Sequence, residues 1–312
     1  MGVMINGEWH ADAEDGSRPS SGEFRRPETQ FRRWISADPG AEFAAAASRY
    51  HLYLALACPW CHRTLLFRLL KRLEAVISVS FVEPLMLERG WTFAGPDPLT
   101  GATAIHEVYR RAEPHYTGRA SVPVLWDKEK RTIVSNESAD IIRMLNRAFA
   151  AFTDDRADYY PTALAAEIDA LNDRIFATVN NGVYKAGFAT RQEPHKTAVT
   201  ALFATLDWLE ERLRTRRYLL GDTISEADWR LFPTLVRFDA VYYGHFKCNL
   251  RHLYEYTALW DYTRRLHAVP GVAATVDLSD YKTHYYGSQR RINPSGIVPL
   301  GPLIDFSLPA GG

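Results

Sequence analysis

The sequence predicts an α/β domain followed by an all-helical one, and three observations carry that expectation. Its 312 residues exceed one ordinary core and point to about two domains. Up to about residue 150, strand-like runs alternate with runs of helical period, as an α/β domain requires. Beyond residue 162 the apolar residues recur only at three- and four-residue spacing, the period of a buried helix face.

Taken in order, residues 1–50 mix Arg, Gly, Pro and Ser with scattered aromatics and are expected to form an irregular arm. The α/β domain is expected over 51–150. HLYLALA (51–57) reads as a buried strand that ends at Cys58-Pro59. Leu65, Leu66, Leu69, Leu70 and Leu73 then lie at helical spacing. ISVSFVEP (77–84) alternates and is β-branched, which makes a second strand. The stretch 85–120, rich in Gly, Pro and Thr, is longer than an ordinary connection and hints at function by that alone. VPVLWD (122–127) and TIVSN (132–136) read as strands joined by the charged turn KEKR. ESADIIRMLNRAF closes the domain as a helix with Ile141, Ile142, Leu145 and Phe149 on one face.

Residues 151–161 read as a polar, aromatic linker, and 162–312 as an all-helical domain with a C-terminal extension. LAAEIDALNDRIFATV, KTAVTALFATLDWLEERLR and EYTALWDYTRRLHAV each carry one apolar face. Ser225-x-x-Asp228 resembles the capping box that opens a helix, with Asp in place of Glu. From 287 the chain is dense in Pro and Gly and is expected to run over the surface.

Composition removes several function classes. Lys+Arg and Asp+Glu are both 37, for a net charge of zero, which excludes a strongly basic nucleic-acid binder. A hydrophobic fraction of 46% with 24% charged residues excludes wholesale disorder. Three cysteines are too few, and odd in number, for a secreted disulfide scaffold. The first residues show no basic and apolar signal pattern, Asn6 stands where a myristoylation motif needs Ser or Thr, and no apolar run approaches a membrane span. A cytoplasmic protein with reduced thiols and no membrane partner is expected.

The chemistry centres on Ala-Cys58-Pro59-Trp60-Cys61-His62-Arg63, set between a buried strand and an amphipathic helix. A cysteine at a helix N-terminus faces unpaired N–H groups and the positive end of the dipole, which stabilise a thiolate. Pro59 at the first helical position has no N–H to lose, and Arg63 adds positive charge. Cys61 has two readings. The C-x-x-C spacing permits a resolving thiol, whereas a small residue facing into the domain one turn along is slightly favoured. Cys248, flanked by His245 and His252, has no carboxylate or cysteine cluster beside it, so packing is expected there and no metal.

Two further segments complete a small-thiol site. Val122-Pro123 opens a strand, and in a thioredoxin-like domain this proline is cis and presents the preceding backbone to a peptide thiol. Glu137 and Ser138 follow a strand and open a helix. There they could bind an ammonium and a carboxylate, although alone they would read as a plain cap.

These residues reach a recognisable pattern. The two-part architecture resembles a glutathione transferase, and FRRPETQFRRWIS, CPWCHRT, RGWTF, YTGRASVPVLWD, SNESADIIRM, NNGVYKAGFA, LVRFDAVYYGHFKCN and HYYGSQRRINPSGIVPLGP resemble the glutathionyl-hydroquinone reductases, the Xi-class or omega-like transferases. These blocks span nearly the whole chain in order. The resemblance implies Cys58 as nucleophile. It implies Trp91, Arg119, Val122, Glu137 and Ser138 as the glutathione site, with Arg119 able to fork onto a carboxylate. It also implies Tyr184 and Tyr285 as contacts to the hydroquinone, with Tyr286 the neighbouring alternative to Tyr285, and Tyr242 as a further candidate. Glutathione is then the co-substrate, a glutathionyl-hydroquinone the substrate, and a homodimer the expected assembly. Two positions depart from the family pattern: Cys61 where alanine is common, and Gln289 where histidine is frequent. The alternatives are a dithiol reductase using Cys58 and Cys61, and a transferase fold serving as a non-catalytic binding module.

Overall fold

The computed structural model describes residues 2–13, 16–17 and 19–308. The chain divides into two compact units, one of Met1–Gly16 with Pro27–Asp158, the other of Ser17–Arg26 with Tyr159–Gly312. Residues 1–50, expected as a single arm, are therefore shared between the units. The last four residues of the expected extension lie outside the described residues.

The first unit opens with a hairpin, β1 (Val3–Ile5) and β2 (Glu8–His10), paired antiparallel. Its turn is Asn6-Gly7, with φ of 49° and 82°. An Asn-Gly pair between strands is a strong hairpin signal because both central residues need positive φ. At Gly7 a Cβ would also strike the Pro114 carbonyl oxygen. The expectation of irregular chain missed this element.

A four-stranded sheet follows, in the order β4 (Ser78–Phe81), β3 (Tyr50–Leu54), β5 (Val124–Asp127), β6 (Thr132–Ser135). β3 runs parallel to β4 and antiparallel to β5, and β5 is antiparallel to β6. A parallel pair needs a crossover, and α1 (Pro59–Leu70) supplies it. α1 ends before the expected Leu73 because Arg72 turns left-handed, at φ 51°. Leu73 N–H then donates to Arg68 O at 2.8 Å and Arg72 N–H to Leu69 O at 2.9 Å, a Schellman closure that drops Leu73 into the core. α3 (Ser138–Arg147) packs against α1.

The long connection 85–120 is not loop throughout. It holds α2 (Ile105–Ala112), which buries Ile105, Val108 and Tyr109 on one side; their spacing was a readable helical signal. Asp97 ties the earlier part of this connection to the sheet, accepting from Tyr53 Oη at 2.9 Å, Ser80 Oγ at 3.0 Å and Thr100 N–H at 2.8 Å. The segment expected as a linker stays with the first unit as far as Asp158. Buried Lys71 pairs with Asp155 at 2.5 Å, and Asn146 Nδ2 donates to Asp158 at 2.6 Å.

The second unit is helical: α4 (Ala165–Ile175), α5 (Gly182–Phe188), α6 (Gln192–Leu213), α7 (Glu226–Arg237), α8 (Thr257–His267) and α9 (Leu278–Ser288). The capping box at Ser225 is present: Ser225 N–H donates to Asp228 Oδ2 at 2.8 Å. Asp228 is buried and also accepts from Leu219 N–H and Tyr262 Oη, both at 2.9 Å. Burial pushes its pKa up and these donors oppose that. The segment Ser17–Arg26 lies on this unit through Thr190 N–H to Gly22 O at 3.0 Å and through Phe24 against Phe188, 5.1 Å between ring centroids. The tail folds back along α8 and α9, with Lys282 Nζ donating to Leu300 O at 2.7 Å and Phe306 set against Trp260 and His267. No helix among the described residues is long and apolar enough to cross a membrane.

Candidate active site

The sheet register brings the thiol residues to one edge. Tyr53, near the end of β3, pairs with Val124 at the start of β5, and Leu125 pairs with Ser135 at the end of β6. The residues after β3, before β5 and after β6 therefore leave the sheet at the same end. Cys58, Val122 and the pair Glu137–Ser138 belong to those three exits.

Cys58 is the N-cap of α1, with φ −78° and ψ 120°, and Pro59 opens the helix. Its Sγ lies 3.7 Å from Val122 O, and the Val122–Pro123 peptide is cis. No acidic residue occupies the first turn of α1, where a carboxylate would oppose a thiolate held by the dipole. Arg63 is buried, with its guanidinium carbon 4.6 Å from the centre of the Trp60 ring. Cys61 is only 1% exposed, and its Sγ accepts Ala55 N–H at 3.4 Å. Neither cysteine is in a disulfide among the described residues.

Glu137 is the N-cap of α3, its Oε1 accepting Ala139 N–H at 3.0 Å and its Oε2 accepting Thr29 Oγ1 at 3.3 Å. Next to it, Ser138 is buried and its Oγ has no hydrogen-bond partner among the described residues. A buried hydroxyl left unpaired at a helix N-terminus is what an incoming carboxylate would satisfy. Trp91 is buried, with its carbonyl accepting Ile105 N–H at 2.9 Å. Arg119 is half-buried, and its carbonyl accepts Tyr116 Oη at 3.0 Å.

The second unit gathers three phenols. Tyr184 on α5 and Tyr285 on α9 have hydroxyls 2.5 Å apart, and Tyr242 Oη is 3.2 Å from Tyr285 Oη. Tyr242 sits on a π turn, Phe238–Tyr242, that ends α7, and a second π turn, Phe176–Asn180, precedes α5. Such turns re-aim side chains out of helical register. Burial pushes the Tyr285 and Tyr242 hydroxyls well above the ordinary phenol range, so both stay protonated.

Tyr286 points elsewhere. Its ring lies 4.7 Å from that of His245, and its hydroxyl closes on Gly244, where a Cβ would be 2.8 Å away. His245 Nε2 is 3.0 Å from Gln289 Oε1, so the residue that departs from the family pattern has a definite partner. His252 pairs with Asp239 at 3.3 Å, and burial pushes the Cys248 thiol up. No group of three or more His, Cys, Asp or Glu among the described residues is placed to hold a metal ion.

Three contacts escaped the sequence reading: Thr29 on Glu137, Gln289 on His245, and Arg26 beside Tyr184. The Arg26 guanidinium carbon stands 4.8 Å from the Tyr184 ring centre and its Nε donates to Asn181 Oδ1 at 2.8 Å. Arg26 and Asn181 lie inside the matched blocks FRRPETQ and NNGVYKAGFA, but nothing local links them.

Residues 57–148 match the model of the glutathione S-transferase N-terminal domain, and 161–265 that of the C-terminal domain. The glutathionyl-hydroquinone reductase YqjG of Escherichia coli K12 is 50% identical across all of this chain and 98% of its own length. PcpF of Sphingobium chlorophenolicum, also a glutathionyl-hydroquinone reductase, is 50% identical over 97% of this chain and 96% of its own. Among solved structures, glutathione-bound YqjG superposes with a TM-score of 0.90 at 48% identity, covering 99% of this chain and 98% of that one. A Xi-class transferase from Natrialba magadii gives 0.94 at 45% identity, covering 99% and 96%. The chain belongs to the glutathionyl-hydroquinone reductases, the Xi class of the glutathione S-transferase family.

Proposed function

We infer that this protein uses glutathione to reduce glutathionyl-hydroquinones to hydroquinones, as the names of its relatives describe for them. The observation that carries the reading is Cys58, a cysteine outside any disulfide that caps α1 with Val122 O beside it. The peptide part of the substrate is assigned to Trp91, Arg119, Val122, Glu137 and Ser138. Val122 offers a backbone N–H and C=O pair, and the unpaired Ser138 hydroxyl supports a carboxylate contact. The ring hydroxyls are assigned to Tyr184 and Tyr285, with Tyr242 behind them.

The chemistry follows from those roles. Aromatic carbon is a poor leaving group, so the ring first takes a ketone form in which the sulfur-bearing carbon is tetrahedral. The Cys58 thiolate attacks the glutathione sulfur and the carbon–sulfur bond breaks. The bond's electron pair restores the aromatic ring and leaves negative charge on the former ketone oxygen. A phenol of the cluster donates its proton there and regains one from solvent. A second glutathione, as its thiolate, then attacks the Cys58–glutathione disulfide, giving oxidised glutathione and the free Cys58 thiolate. Cys61, buried and accepting from the backbone, has no part in this cycle.

Incubating the protein with glutathionyl-hydroquinone and recording intact mass tests the reading. A single glutathione adduct on Cys58, formed with release of hydroquinone and removed by added glutathione, is the expected result. Release of hydroquinone with Cys58 replaced by serine would refute it. A cytoplasmic homodimer is the accompanying proposal for assembly, and light scattering in solution checks the dimer.

A further inference from the structure

We propose that Arg26, brought onto the helical unit by the segment Ser17–Arg26, is a positioning residue that makes Tyr184 the proton donor of the phenol cluster. The inference rests on the reading of Tyr184 and Tyr285 as contacts to the ring.

Three phenols in hydrogen-bond contact are chemically alike until their surroundings separate them. Tyr285 and Tyr242 are almost wholly buried, which holds them neutral. Tyr184 carries a guanidinium on its ring face, 4.8 Å from the centroid. A cation over an aromatic face is attracted by the ring's electron density, and more strongly once the phenol becomes a phenolate. The arrangement therefore favours loss of the Tyr184 proton.

The guanidinium is held there from two other directions. Its Nε donates to Asn181 Oδ1, three positions before Tyr184, and its carbon lies 5.4 Å from the Phe24 ring centre. Phe24 packs on Phe188, which follows Tyr184 on the same helix. Arg26 is thus fixed to both ends of the short helix that carries the donor. The remaining charged or titratable groups near the cluster come from other elements. Arg237, at the end of α7, is buried over Tyr281 and favours ionisation of Tyr242 and Tyr285. His245 and His284 have rings 6.3 Å and 5.0 Å from that of Tyr285.

The test compares Arg26→Met, which removes the charge but keeps the length, with Arg26→Lys, which keeps it. Each is assayed on glutathionyl-hydroquinones bearing zero, one or two chlorine substituents. Chlorine makes the departing phenolate more stable and less in need of a proton. The expected result is a kcat about tenfold lower for Arg26→Met on the unsubstituted ring, shrinking with each chlorine, and a smaller loss for Arg26→Lys. Thiol exchange with small glutathione disulfides, which have no ring to protonate, should proceed as in the parent protein. A defect of equal size on every ring, or equal in the two variants, would mean that Arg26 only packs, and the proposal would fail. If Arg26→Met does not fold, Arg26→Gln reads the same loss of charge. A Tyr184→Phe variant at full activity would instead bring down the underlying assignment, so the two failures are separable.

Discussion

The thiol edge and the phenol cluster are built by different means. Cys58, Val122 and Ser138 lie where elements begin or end, so backbone geometry places them: a helix cap, the residue before a strand-opening proline, the first turn of α3. The cluster is made of side chains from elements far apart in the chain; Tyr184 and Tyr285 are separated by 101 positions. A site made from element ends is shaped largely by peptide N–H and C=O groups, so change there matters where a side chain itself reacts or binds. A site made from packed side chains depends on each ring. The largest loss should therefore come from the one thiol-edge side chain that reacts.

Cys58→Ser should abolish hydroquinone release, since a hydroxyl cannot form the mixed disulfide. Cys61→Ala should keep most of it, because external glutathione resolves the intermediate. Steady-state turnover of the two variants measures this, and equal loss in both would restore the dithiol mechanism.

In the phenol cluster, Tyr184→Phe and Tyr285→Phe should each slow turnover roughly ten- to a thousand-fold, the range for a lost general acid partly replaced by water. Tyr286→Phe should change little, since its ring faces His245 and its hydroxyl Gly244. Glutathione affinity, measured by calorimetry, should stay as it was in all of them. A fall in affinity with kcat intact would overturn the assignment of these phenols to the ring.

That contrast also explains how much was legible in the chain. Cys58-Pro59 after an apolar run, Val122-Pro123 and the Ser225–Asp228 box are local patterns with local physical meaning, and each stands where the pattern puts it. The Asn6-Gly7 hairpin and the Ile105–Val108–Tyr109 face were equally local and went unread amid Gly- and Pro-rich surroundings. Tyr184 and Tyr285 were reached only through resemblance, because a tyrosine on a helix reads the same whether it packs or donates a proton. The Arg26–Tyr184 and His245–Gln289 pairs had no signal at all. They arise from tertiary packing, and the π turns that aim Tyr242 break the helical period on which a sequence reading depends.

At the thiol edge, Ser138→Ala offers a finer probe. A hydroxyl that binds a carboxylate is worth about 1.5–3 kcal/mol, so glutathione should bind about ten- to a hundredfold more weakly. Without glutathione the variant should be no less stable than its parent, because the buried Oγ has no partner to lose. Calorimetry and thermal unfolding together separate the cases. Lost stability with unchanged affinity would make Ser138 part of the cap alone.

The smallest expected effect tests the two units side by side, since each holds a buried histidine whose pKa is pushed well down. His51, beside Ser78 in the first unit, and His245, beside Gln289 in the second, are both pushed down to about 4, chiefly by burial. Burial favours the neutral ring, so between about pH 6.5 and about pH 4 the unfolded chain binds protons that the folded one does not. Stability therefore rises with pH across that window and is lost as pH falls through it. From about pH 7 to about pH 5.5 the loss is about 1 kcal/mol per histidine. His51→Gln and His245→Gln should each flatten the dependence by that amount in urea unfolding followed at several pH values. A flattening confined to one of them would show that acid loosens one region before the other.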